Sequence, residues 1–150
     1  MAERWLVSAC LLGRACRYDG GSKGHPAVQR SVASARARGI EVHPVCPEEA
    51  GGLSTPRPAA DLRGGDGHAV LSGTASVRTV AGDHDVTAAF LAGAAACDLP
   101  CDLAILKQRS PSCGSGTVYV AGERVPGDGV FAARLRQKGV DLRSEDDPLP

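Results

Sequence analysis

Three short strand-like runs, Trp5 to Ala9, Ile40 to Val45 and Leu103 to Leu106, set the terms on which this chain folds. Leu103-Ala104-Ile105-Leu106 is apolar at every position, the pattern of a strand buried on both faces. Ile40 to Val45 alternates in strand fashion, with Pro44 weakening its pairing. Helical stretches separate these runs. Pro26 suits the first turn of a helix running to about Arg38, with Val28 and Val32 on one side and Gly39 just past its end. Val86, Phe90 and Ala94 repeat at helical spacing between Asp85, a candidate cap, and about Cys97. Gly129 to Lys138 reads as a third helix, Thr117 to Val120 as a strand and Val140-Asp141-Leu142 as a last short strand. Strands alternating with helices imply βαβ units, right-handed crossovers and a mostly parallel sheet. We expect a single three-layer, Rossmann-like α/β domain over residues 1–150. Glu48 to Gly67, rich in Gly and Pro, is expected to be loop, and Val70 to Val80 one or two short strands in an edge hairpin.

Charge narrows the partners. Lys and Arg number 17 against 17 Asp and Glu, so the formal net charge is zero and there is no footprint for wrapping a phosphate backbone. The longest nearly apolar run, Val86 to Cys97, is too short to span a bilayer.

The six cysteines, at positions 10, 16, 46, 97, 101 and 113, need an account. Val7-Ser8-Ala9-Cys10 imitates the box before a lipidated cysteine, but the apolar stretch ahead of it is short and Glu3 offsets Arg4. We therefore expect a cytoplasmic protein, in which cysteines more often serve metals or catalysis than disulfides.

In an open α/β sheet, ligands bind beyond the carboxyl ends of the strands. Cys10 ends the first run, Cys46 the second, and Cys113 lies in the loop after Leu106. They are far apart in sequence, so only the fold can bring them together, and no CxxC staple of a zinc ribbon is involved. Three ordinary buried cysteines are the plain alternative, and spacing alone leaves both readings open. The polar, turn-prone Ser110-Pro111-Ser112-Cys113-Gly114-Ser115 favours metal ligation. Lys107 and Arg109 bring positive charge to Cys113, favouring thiolate or an anionic ligand, unless they are simple surface charges. Glu48, two residues after Cys46, is a candidate general base if partly desolvated, or else a solvated acid or a helix N-terminal partner. Cys16 could be a spare ligand or a resolving thiol, whereas Cys97 and Cys101 read as packing residues. The four histidines form no metal-type pattern, and neither Gly51-Gly52 nor Gly64-Gly65 belongs to a phosphate loop.

Taken together, Ser8-Ala9-Cys10-Leu11-Leu12-Gly13, Cys16-Arg17-Tyr18-Asp19-Gly20, Val45-Cys46-Pro47-Glu48 and Ser110-Pro111-Ser112-Cys113-Gly114 resemble the motifs of a known bacterial family. That family was long catalogued as a domain of unknown function and includes the [4Fe–4S]-dependent thiouracil desulfurases. The likeness extends through Gly51-Gly52-Leu53, Pro56-Arg57, Gly82-Asp83 and Gly127-Asp128-Gly129-Val130, nearly the whole chain, departing from the family pattern at Asp61. The resemblance implies a desulfurase-like domain with a [4Fe–4S] cluster on Cys10, Cys46 and Cys113, leaving one iron without a protein ligand. It implies non-redox hydrolysis of a small thiolated pyrimidine or thioamide, with Glu48 activating water and Ser110 relaying a proton or bonding the oxyanion. Ser8, Arg57 and Lys107 are its candidate substrate contacts. Zero net charge favours a free base or nucleoside over intact nucleic acid. A cluster-based sulfur carrier serving a sulfur-acceptor protein, and a non-enzymatic thiol or metal-binding redox module, are the alternatives.

Overall fold

A computed structural model describes residues 3–150. β1 (Arg4–Ser8) runs into a 3-10 turn (Ala9–Leu12), and α1 (Pro26–Ala37) returns the chain to β2 (Glu41–Val45). A single turn of helix, α2 (Pro47–Ala50), is followed by β3 (Ala60–Arg63), α3 (Gly67–Leu71) and β4 (Ser76–Thr79). α4 (Thr87–Ala96) then leads to β5 (Leu103–Leu106). A hairpin of β6 (Ser115–Val120) and β7 (Glu123–Asp128) precedes α5 (Val130–Gln137) and β8 (Asp141–Ser144).

The first and third runs become the inner strands, β1 and β5, and the second an edge strand, β2, of a four-stranded, all-parallel sheet of order β2-β1-β5-β8. Alternation sends their side chains to two cores. Trp5 and Val7 of β1, with Leu103 and Ile105 of β5, pack against Val28, Val32 and Ala35 of α1. Leu6, Ala104 and Leu106 point the other way, into a core shared with Phe90 of α4 and with Phe131 and Leu135 of α5. Helix, sheet and helix make the three layers expected of a Rossmann-like α/β fold. Full burial of each Leu, Ile or Val is worth about 1.5–3 kcal/mol, so the two-sided sheet anchors the structure. Pro44 is tolerated because β2 is an edge strand. Asp85 meets its expected capping role one residue early, its Oδ1 accepting from Thr87 N at 2.9 Å.

A second sheet, of order β4-β3-β6-β7, departs from the sequence expectation. The segment read as loop contains α2 and β3, the segment read as strands begins with α3, and β7 was not anticipated. Pro47 opens α2 with Glu48 and Glu49 in its first turn, where the helix dipole favours acids. Asp66 accepts from the backbone N–H groups of His68 and Ala69, which draws Val70 into a helix instead of a strand. One expected strand forms, β4 at the sheet edge, but in place of a hairpin within 70–80 it pairs antiparallel with β3 across α3, Ala60 opposite Thr79. β7 carries Pro126 and Gly127, residues admitted here because it lies at the sheet edge.

One close approach governs the placement of α2. A Cβ on Gly93 of α4 would lie 1.7 Å from Pro47 O, and one on Gly51 would lie 2.0 Å from Ala89 O. Two glycines thus let α2 rest backbone to backbone on α4, which fixes Cys46 and Glu48 relative to the parallel sheet. Among the described residues no helix is long and apolar enough to cross a membrane.

Candidate active site

From β1 the chain turns outward to β2, while β5 takes its place on the opposite side of β1. This is a topological switch point, and the crevice there opens at the strands' carboxyl ends. Its floor is tied by Lys107 N–H donating to Ser8 Oγ at 2.9 Å. Above lies a cavity of about 460 Å³, within the range of roughly 300–1,000 Å³ usual for small-molecule sites. Cys10, Cys46 and Cys113 all line it, as do Ser8, Glu48, Arg57, Lys107 and Ser110.

Each thiol is presented by a different device. Cys10 sits in the 3-10 turn after β1, where its carbonyl accepts from Lys23 N–H and Gly13 N–H. Cys46 is the N-cap residue of α2. Cys113 belongs to a loop clipped onto the start of α5. Val130 N–H donates to Pro111 O at 2.9 Å, and Phe131 N–H and Ala132 N–H donate to Ser112 O at 2.8 and 3.1 Å. The loop thereby satisfies the orphan donors of the helix end while the helix holds the loop.

Burial pushes the Cys113 thiol up, opposed by hydrogen bonds with the Ser8 and Ser112 hydroxyls. Burial also raises Cys10, with the charges of Lys107 and Arg17 opposing it. Cys46 is lowered to about 7, chiefly by a hydrogen bond with the Cys16 thiol, which is itself pushed up. The positive charge read as serving Cys113 is distributed otherwise. Lys107 acts on Cys10 while its Nζ bonds Glu145 at 3.0 Å, and Arg109 reaches Asp146 at 3.3 Å. Serine hydroxyls, those of Ser8 and Ser112, support the Cys113 sulfur.

A linked set of side chains runs from the 54–57 segment to the cysteine loop. Arg57 Nε donates to Glu48 Oε1 at 3.0 Å, and Ser112 Oγ donates to Glu48 Oε2 at 2.9 Å. Other guanidinium N–H groups of Arg57 bond Ser54 O, Thr55 Oγ1 and Cys16 O. Most of its donors are therefore spent within the protein. Ser110 Oγ accepts from the backbone N–H groups of Ser112 and Cys113 and lies 3.0 Å from Ser112 Oγ. Ser112, not Ser110, touches Glu48. Sequence reasoning passed over it, and its one signal was a hydroxyl beside a cysteine in a polar turn.

Residues outside the cavity have structural work. Asp61 pairs with Arg63 at 2.7 Å and accepts from Gly122 N–H at 2.8 Å. The Cys97 thiol is raised to about 11 by burial. His25 caps α1, His43 bonds Glu41 and His68 bonds Asp128. Cys16, by contrast, lines the cavity beside Cys46.

Residues 5–147 match the 2-thiouracil desulfurase family. The chain belongs to that family. YbbK of Bacillus subtilis (strain 168), described as uncharacterized, is 41% identical over 150 residues, covering 95% of each protein. A solved structure of a [4Fe–4S]-dependent thiouracil desulfidase, TudS, matches with a TM-score of 0.78 and 41% identity, covering 96% of this chain and 91% of that one.

The donor set of this family member suits the [4Fe–4S] group on which TudS depends. Among the described residues, no three His, Cys, Asp or Glu side chains close on a single ion. Four sulfurs, those of Cys10, Cys46, Cys113 and Cys16, instead border one cavity, and soft thiolates are the ligands that iron–sulfur clusters take. A cluster is wider than an ion and receives its thiolates at larger separations, so the arrangement fits.

Proposed function

We propose that the protein is a [4Fe–4S]-dependent desulfurase that hydrolyses a small thiolated nucleobase of the 2-thiouracil kind, or a related thioamide. The observation that carries this reading is the meeting of Cys10, Cys46 and Cys113 on one cavity that also holds Glu48 between Arg57 and Ser112. The three cysteines would hold the cluster, which when bound supplies an iron free of protein ligands, a Lewis acid for thiocarbonyl sulfur.

The chain's own residues supply the rest. Glu48 accepts a proton from the water that adds to the thiocarbonyl carbon. As the C–O bond forms and the C–S bond breaks, the products are the carbonyl compound and sulfide, with no net electron transfer. Arg57 and Ser112 hold one carboxylate oxygen each, fixing where that proton is received. Ser110, one hydroxyl beyond Ser112, extends a proton path or bonds the developing oxyanion. The Ser8 hydroxyl steadies the Cys113 sulfur, and Lys107 adds positive charge at the Cys10 end of the cavity.

The chain acts as one domain in the cytoplasm, a compartment that suits its six free thiols. Sulfide leaves to solvent, and a dedicated sulfur-acceptor protein would be the alternative consumer. Anaerobic reconstitution followed by incubation with 2-thiouracil tests the reading. Iron at about four per chain, with sulfide and uracil formed in equal amounts, supports it. A reconstituted protein that holds iron but releases no sulfide from any thiolated base or thioamide overturns it.

A further inference from the structure

Among the described residues, the large hydrophobic side chains left exposed are Tyr18 at 42%, Tyr119 at 39% and Val80 at 60%. The two tyrosines are the only ones in the chain, and both line the cavity that holds the cysteines. Trp5, Phe90 and Phe131 are buried in the cores. The protein has little aromatic surface, and what it exposes borders one site.

The two rings arrive from independent parts of the fold. Tyr18 follows Cys16 and Arg17 in the loop after the 3-10 turn, and its carbonyl accepts from Arg57 N–H at 2.7 Å. The Arg17 guanidinium lies 5.8 Å from the Tyr18 ring centroid, a cation–π distance that restrains the ring. Tyr119 comes from β6 of the second sheet, opposite Arg124 of β7. Exposed aromatic faces at a cavity wall offer a surface that flat π-systems can stack on. Because Tyr18 is tethered to Arg57, and Arg57 to Glu48, a ring held by Tyr18 is registered against the proposed base.

We propose that Tyr18 and Tyr119 are specificity-determining residues that recognise the flat face of a heteroaromatic thione, so that the site selects a ring over an open-chain thioamide. The inference rests on the desulfurase reading and narrows its substrate class to thiolated bases and nucleosides.

The test compares wild-type holoenzyme with Tyr18→Ala, Tyr119→Ala and the corresponding Phe variants, all reconstituted anaerobically. Uracil, which has no sulfur to lose, is titrated by calorimetry. Turnover is measured with 2-thiouracil and with thioacetamide. Each Ala variant should weaken uracil binding about ten-fold, the scale of one base–aromatic stack. It should also lower the ratio of kcat/KM for 2-thiouracil to that for thioacetamide by a similar factor, mainly through KM. Phe should recover the binding that Ala loses, since the ring and not the hydroxyl carries the interaction. Ala variants that bind uracil like wild type, or that lose both substrates in equal proportion, overturn the proposal. So do Phe variants as impaired as Ala. Uracil binding that depends on the tyrosines in a wild-type protein releasing no sulfide would uphold the ring recognition while defeating the desulfurase reading.

Discussion

Ser112 Oγ donates to Glu48 Oε2 at 2.9 Å while standing 3.8 Å from the sulfur of its neighbour Cys113. One hydroxyl thus joins the carboxylate of α2 to the cysteine loop of α5. Glu48→Gln keeps the shape but cannot accept a proton, and kcat/KM for sulfide release should fall by about 10²–10⁴-fold with iron content unchanged. Ser112→Ala should reduce kcat by a smaller factor, about ten-fold, the worth of one hydrogen bond to a charged group. Equal activity of Glu48→Gln and wild type would remove Glu48 from the chemistry.

The cysteines should divide cleanly. Cys10→Ser, Cys46→Ser and Cys113→Ser should each lose the visible absorbance and the iron of the reconstituted protein, and activity with them. Cys97→Ser, outside the cavity wall, should keep its colour. Iron analysis with absorbance spectra separates the outcomes, and retention of a full iron complement by Cys46→Ser would be decisive against the ligand set.

Arg57 and Glu48 form a mostly shielded ion pair, their side chains 6% and 15% exposed. Removing one partner of such a pair strands the other charge. Arg57→Ala should cost about 3 kcal/mol, which for a chain of this size lowers Tm by about 6–12 °C. Arg57→Lys retains the charge without the fork and should recover only part of the loss. Thermal unfolding measures both.

Asp128 contributes to the acid limb of stability. Burial alone would raise its pKa, but hydrogen bonds with Arg136 and His68 outweigh that and hold it below the ordinary carboxylate value. A carboxyl depressed in the folded state contributes stability above its unfolded pKa of about 3.9, and that contribution disappears as pH falls through the folded value. Tm should therefore drop between about pH 5 and pH 2. Asp128→Asn should be less stable at neutral pH and flatter across that window, and an unchanged pH slope in the variant would show that other carboxylates dominate.

What could be read from the sequence follows burial. Leu103–Leu106 and Trp5–Ala9 are apolar because both sheet faces are covered, so their strands and the three-layer plan were legible. The second sheet was not, because β3 is short and half charged and β7 is polar, with Pro126 and Gly127 inside it. Asp61 survives inside β3 only through Arg63 and the Gly122 N–H, partners that no local pattern announces. The same holds at the site. Cys10, Cys46, Cys113 and Glu48 stand at strand ends and in recognisable motifs, and the structure brings them to one cavity. The roles of Ser112 and Arg57 depend on contacts across 64 and 9 residues, which exist only once the sheets have formed.

Cys10, Cys46 and Cys113 lie beyond the ends of three separate parallel strands, β1, β2 and β5, and this bears on when iron can be acquired. A zinc finger carries its ligands on one short stretch, so metal and chain can order together. Here the unfolded polypeptide offers no preassembled set, and its scattered cysteines compete poorly for iron. Loading through these cysteines should consequently be a late event that follows strand pairing. Whatever the thiols hold then stabilises the native state alone, in proportion to the logarithm of its free concentration over its dissociation constant. Iron supply should set how long the finished protein lasts, not whether it folds.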